Sequence, residues 1–376
     1  MRAGASAPSS PVEAPRLEAM PAQLLTQPRL NRALLARQLL LERSPLGVTE
    51  AVEQVGGLQT QYAPSGYIGL WSRLRDFGRP MLTRALEERQ LIQATLMRAT
   101  IHTVSPADYW PLTVAVRRTR REWFERVSRR DIDSLDMAGA AAAVREELAI
   151  GPLKMSELES RLEARGFTKQ AARWAGMYVD LVRVPPSGTW ERRRADLYGL
   201  ADDWLPRPTG LNEESGLQLV VRRYLGAFGP APLADVANWA GLPTALLRPV
   251  VERIETVAYR DEDGRQLLDR PDLPLPPQDV PAPVRFIPTW DAMLLAHARR
   301  TGVLPEDYRN LVFNTKTPQS MPTFTVDGRV AGSWRYEDGE IELRPFAELA
   351  AAAKRDLEEE AHRLASFHSE TSGRDR

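Results

Sequence analysis

The sequence predicts a mainly α protein with small β ribbons: three tandem helical units, each closing on a two-stranded ribbon, followed by a small mixed α/β C-terminal cap. Three observations lead there. Apolar residues recur with a helical period in successive groups of segments. After each group the period drops to two, as in an exposed ribbon. A proline-rich stretch, 271–283 (PDLPLPPQDVPAP), then separates the repeats from a segment with two Asp-Gly hairpin signals, Asp327-Gly328 and Asp338-Gly339.

In order along the chain, residues 1–28 are rich in Ala, Pro and Ser, lack the continuous apolar run of a secretory signal and read as a disordered leader. NRALLARQLLLER places Leu34, Leu35, Leu39 and Leu41 near one face of a first helix, Leu30 to Leu41. A second, Val48 to Val55, stops at Gly56-Gly57; a third is expected from Gln59 to Arg75 and a fourth from Met81 to Arg89. Alternation in LIQATLMRATIHTVS predicts two strands between Ile92 and Val104. Helices followed by a ribbon are the layout of a winged helix, which gives a first unit over 29–130.

The same layout returns twice. Helices at Met137 to Leu148, Met155 to Arg165 and Thr168 to Val182, with strands between Leu181 and Leu200, make a second unit over 131–210. Helices at Glu213 to Phe228, Leu233 to Ala240 and Pro243 to Ile254, with a hairpin about Asp263-Gly264, make a third over 211–270. The cap is expected over 284–366, with 367–376 a disordered tail.

Composition narrows the function classes. The chain has 376 residues, 43% hydrophobic and 27% charged, ordinary values for a folded soluble protein. It has no cysteine, which excludes disulfides, zinc fingers and thiolate catalysis, and its four histidines (102, 297, 362, 368) are too dispersed for a metal cage. No cofactor or metal is expected. No apolar run approaches the ~18 residues of a membrane span, so a monomer without membrane contact, in the cytoplasm, is the expectation. Net charge is zero, but residues 73–130 hold 13 arginines against 6 acids and residues 337–376 hold 11 acids against 6 basic residues. That asymmetry suits one electropositive face, although solvated helices carry charge in the same way.

The chemistry-bearing stretch is GGLQTQYAPSGYIGLWSR. Gln59 and Gln61 stand two apart at a helix entry, where an extended first residue lets both amides converge; the alternative is that they cap the helix or fill a polar pocket. Here the chain resembles the winged-helix DNA glycosylases of the AlkZ/YcaQ superfamily. The resemblance runs through GLQTQYAPSGYIGLWSRL, LMRATIHTVSPADYW, GAFGPAPLADVANWAGL, FIPTWDAMLLAHARRTGVLP and VDGRVAGSWR, in that order. It implies that Gln59-Thr60-Gln61 is the catalytic signature, in its double-glutamine form. Thr60 departs from the commonly apolar middle residue, which bears on substrate range. It further implies excision of N7-alkylated purines from double-stranded DNA, bulky or crosslinked lesions included.

The residues agree with that chemistry. Glutamine carries no charge and has no useful basicity, so the pair can orient water and offer oxygen dipoles to a cationic sugar but cannot protonate a leaving base. An N7-alkylated purine is already cationic and leaves without a proton. None of the four lysines (154, 169, 316, 354) lies near the motif, so hydrolysis without a lyase step is expected.

Strand alternation in MRATIHTV puts Arg98, Thr100 and His102 on one side, facing either a phosphate, Gln61 or solvent. The run from Arg117 to Arg130, with Arg117, Arg118, Arg120 and Arg121, reads as a basic helix tracking the DNA backbone or as a solvated linker. Asp291 is expected to position Arg299 by an ion pair or to face the cleft, with Arg300 beside it; the Gly328 hairpin is a candidate minor-groove wedge. The alternative functions are a non-catalytic DNA-binding regulator and a protein that sequesters an alkylating compound.

Overall fold

A computed structural model describes residues 23–299, 301–313 and 320–370, a mainly helical chain with three small sheets. The first helix, Gln27–Arg37, opens on Thr26, whose hydroxyl accepts from the Arg29 amide at 3.4 Å. It ends before the expected Leu41, since Leu39 takes a left-handed φ of 57°. The leader expected over 1–28 does not extend over 23–28, which are ordered. Gln23–Leu25 form a strand parallel to Val257–Asp261, and Leu25 is fully buried; residues 1–22 lie outside the described residues. The tail expected over 367–376 likewise does not hold at 367–369, which are helical. Helix Ala351–Ser369 carries Phe367 into the core against Trp71, Phe77 and Trp190, while 371–376 lie outside the described residues.

The helix expected from Gln59 runs instead from Ala63 to Arg73. Pro64 sits in its first turn, where a missing N–H costs no hydrogen bond. Upstream, Gly56 and Gly57 take φ values of 79° and 86° and reverse the chain. That turn lays Leu58–Gln59 as a short strand against Ile101–Val104, so closely that a Cβ on Gly57 would lie 3.1 Å from Val104 Cγ1.

The expected first two ribbons fuse. Their strands form one six-stranded sheet in the order Leu58–Gln59, Ile101–Val104, Ile92–Thr95, Leu181–Arg183, Leu197–Leu200, Leu153–Lys154. Gln93 pairs with Arg183 and Ala94 with Val182 at the junction. A lone ribbon leaves open edges of unpaired backbone groups, and fusion closes one on each side. The third ribbon, Val257–Asp261 with Gln266–Asp269, has the N-terminal strand as its partner.

Helix Pro106–Val127 spans 22 residues, far more than its basic half suggests, and packs along Glu213–Phe228. Gly216 permits the approach: a Cβ there would lie 2.5 Å from the Pro111 carbonyl oxygen. Trp110, Tyr224, Phe228 and Trp239 lie in the core that these helices share, whereas 137–181 has a core of its own. The proline-rich connector is pinned to the first helix, with Arg32 Nε donating to the Val280 carbonyl at 2.6 Å and the buried Arg37–Asp269 pair (2.7 and 2.8 Å) beside it. The cap sheet runs Arg285–Ile287, Thr323–Val326, Arg329–Glu337, Glu340–Pro345. Its Asp327-Gly328 turn is not a free wedge. Asn31 Nδ2 donates to the Gly328 carbonyl at 2.8 Å and Arg32 pairs with Asp327, which holds the turn on the first helix.

Candidate active site

Register decides where the glutamines point. Gln59 lies opposite His102 and Leu58 opposite Thr103, so residues 59 and 61 share one side of the extended segment while Thr60 takes the other. Thr60 is buried, with its Oγ1 3.0 Å from that of Thr103. Gln59 Oε1 accepts from Arg98 Nη2 at 2.8 Å, and Gln61 Oε1 accepts from the Ile101 amide at 3.1 Å. Both oxygens are thus held by the segment 98–101. Gln59 is 7% exposed, while Gln61 opens to solvent.

The expected alternation of Arg98, Thr100 and His102 does not occur. Met97–Ala99 form a tight 3-10 turn in which Arg98 and Ala99 take left-handed φ values of 51° and 56°, conformations that L residues seldom adopt. The turn throws the Arg98 guanidinium back onto Gln59 and the Trp239 carbonyl, so it orients Gln59 rather than Gln61. Thr100 closes the turn by donating to the Met97 carbonyl at 3.1 Å. His102 is 2% exposed and faces no phosphate. Its Nδ1–H donates to the Thr100 carbonyl at 3.1 Å, and burial, helped by the Arg98 charge, pushes its pKa down to about 3 from an ordinary 6.5.

A neutral folded-state histidine loses stability to protonation only as pH falls below 6.5, where the unfolded chain binds the proton first. Excision is therefore expected to show no step near pH 6.5 that His102→Gln removes. A pH–rate profile of both proteins checks this.

Asp291 does not position Arg299. It is buried in a bidentate pair with Arg73, both bonds at 2.9 Å, and its Oδ1 accepts from the Met293 amide at 3.0 Å to cap the next helix. Arg73, Asp291, Ser65 and Gln59 line a small hollow behind the glutamines. The carboxylate is already neutralised and acts as a strut. Asp291→Ala leaves Arg73 buried without its counter-charge and is expected to cost about 3–5 kcal/mol. Urea denaturation checks it. Arg299 is exposed and pairs with Asp263 at 3.2 Å; Arg300 lies outside the described residues.

Two hollows flank the Met97–Ala99 turn. One, about 450 Å³, is lined by Gln61, Ile101, Arg173, Arg183, Arg193 and Arg194 among others. The second, about 550 Å³, is lined by Arg98, Ala99, Trp123, Arg126 and Pro243 among others. Arg120 lines both; Gln61 opens into the first of these arginine-bearing recesses, while Gln59 lines the small hollow with Arg73 and Asp291. Among the described residues no group of three or more His, Cys, Asp or Glu could hold a metal ion, and no helix is long and apolar enough to cross a membrane.

The profile of the family described as DNA glycosylase AlkZ-like matches residues 52–367, most of the chain and the whole of this site. The chain belongs to the AlkZ-like DNA glycosylase family. It is 23% identical over 354 residues to an interstrand DNA cross-link repair glycosylase of Streptomyces sahachiroi, an alignment covering 88% of this chain and 93% of that one. The solved structure of the Streptomyces sahachiroi DNA glycosylase AlkZ has the same fold, with a TM-score of 0.74 at 20% identity, covering 93% of this chain and 98% of that one.

In this AlkZ-like chain the basic helix spends most of its charge internally. Arg117 pairs with Asp180 at 2.5 Å and Arg118 with Glu213 at 3.0 Å. Arg120 is 8% exposed and donates to the Thr95 carbonyl, and Arg121 lies 4.7 Å from the Tyr178 ring centroid. The arginines that stand open beside Gln61 come from the connection between Leu181–Arg183 and Leu197–Leu200. There Arg192, Arg193 and Arg194 are exposed; Arg193 and Arg194 line the hollow with Gln61, and Arg194 meets Asp196 at 3.2 Å. Sequence reasoning passed over them because WERRRADLYGL reads as strand; the ERRR run after a turn was the available signal.

Proposed function

We propose that the chain is a monofunctional glycosylase that hydrolyses the N-glycosidic bond of N7-alkylated purines in double-stranded DNA, crosslinked purines included, and leaves an abasic site. The observation that carries this reading is the pair of neutral amides, Gln59 and Gln61, held by the 98–101 segment, with Gln61 opening into an arginine-bearing hollow. Each Oε1 accepts one hydrogen bond from the protein and keeps a second lone pair with which to hold a water or face an oxocarbenium-like sugar. The amides supply no proton, so the base must leave as a stable neutral species, as an N7-alkylated purine does. An open recess also tolerates a base that is tethered across the duplex. We read the three helix-and-ribbon groups as winged helices that arrange this cleft around DNA, with the first two sharing a sheet.

Duplex carrying N7-methylguanine, incubated with the protein in EDTA, is expected to acquire alkali-labile abasic sites. Sequence-specific operator binding without abasic sites would favour the regulator instead. Affinity for duplex should fall steeply with salt. Replacing Arg192 and Arg194 with glutamine is expected to flatten the log–log slope by about 0.9 for each phosphate that is no longer neutralised. Arg194 also meets a carboxylate, Asp196 at 3.2 Å, but its side chain is 89% exposed; replacing Arg117 and Arg118, 29% and 51% exposed and paired with Asp180 and Glu213, is expected to change it less. Binding titrations across a salt series distinguish the two pairs.

A further inference from the structure

We propose that Tyr62 is a stacking residue of the DNA cleft, laying its ring on a nucleobase beside the target; this rests on the glycosylase reading above. Tyr62 follows Gln61 directly and occupies the N-cap of helix Ala63–Arg73 with extended backbone, φ −115° and ψ 114°. That position favours a short side chain that accepts from the first helical amides. Tyr62 makes no such capping bond. It does not serve the core either, since 43% of it is exposed, whereas Tyr67 one turn on is fully buried.

The ring is exposed yet tethered. Arg193 Nη1 donates to the Tyr62 hydroxyl at 3.2 Å. Arg193 in turn lies 5.6 Å from the ring centroid of Trp190, which is 6% exposed and wedged between Tyr67 and Phe367 at 5.6 and 5.7 Å. Arg193 and Gln61 line the same hollow. An exposed aromatic ring, tethered through its hydroxyl, therefore stands next to Gln61 in sequence, beside cationic groups that attract a phosphate backbone. A nucleobase is the planar group that such a surface fits, because stacking needs no particular base edge. Stacking also supports the strand next to a lesion whose own stacking is lost.

The test uses duplex with 2-aminopurine next to a 2′-fluorinated N7-methylguanosine, whose glycosidic bond resists hydrolysis, and in parallel the cleavable N7-methylguanine duplex. Wild type and Tyr62→Phe are expected to quench the 2-aminopurine, and Tyr62→Ala is not. On cleavable duplex Tyr62→Ala is expected to lower kcat/KM by about 5- to 150-fold, the range that base–aromatic stacking carries, with Tyr62→Phe near wild type. Thermal melting confirms that each variant is folded. Unchanged quenching and unchanged kcat/KM in Tyr62→Ala overturn the proposal. Failure of the wild type to excise N7-methylguanine counts against the glycosylase reading instead, and the fluorescence on uncleavable duplex still decides the stacking role.

Discussion

Gln61→Ala is expected to lower excision of N7-methylguanine by about 100- to 1,000-fold, the effect of removing one preorganised dipole from a site that works by electrostatic stabilisation. Gln59→Ala is expected to lose less. Gln61 is exposed, and its Oε1, which accepts from the Ile101 amide, keeps a second lone pair for a water or the sugar. Gln59 is 7% exposed and bound to Arg98, so part of its capacity is spent within the protein. Single-turnover kinetics on defined duplex read the chemical step, and DNA binding and melting measured alongside are expected to stay close to wild type. Equal rates for wild type and the double alanine variant would remove the glutamines from the mechanism.

The second large effect concerns the leaving group. N7-alkylguanine, bulky adducts included, is expected to be released, while uracil and 8-oxoguanine in the same sequence are not, a difference of several orders of magnitude in rate. The cause is the missing general acid. Of the groups around the glutamines, His102 is buried and neutral with its pKa at about 3, and Asp291 is locked to Arg73. A neutral base would depart as an anion with no proton donor to meet it, whereas a cationic base departs neutral. Parallel assays on the three duplexes check this. Efficient uracil release without N7-methylguanine release would overturn both the mechanism and the role of the amide pair.

Local patterning alone located most helices and turns, because apolar period, Gly56-Gly57 and the Asp-Gly turns act within a few residues of themselves, although the start signal at Pro64 was passed over. The glutamine pair stood out locally as two neighbours in a short stretch, but it was the resemblance along the chain that gave it a catalytic reading. The decisions left to tertiary structure all depend on partners remote in sequence. Gln59 became a strand residue because Ile101–Val104 offered it a backbone ladder, and that register put Gln59 and Gln61 on one side. Arg98 left its strand because a left-handed turn let it reach Gln59 and the Trp239 carbonyl. Asp291 chose Arg73 over the nearer Arg299, since a carboxylate buried away from water must find the charge buried with it. Leu25 and Phe367, at chain ends that composition marks as disordered, are ordered by cores built from distant segments. Period and turn chemistry are properties of neighbours, so one sequence suffices to read them; strand pairing and charge pairing are settled only when folding brings distant residues together.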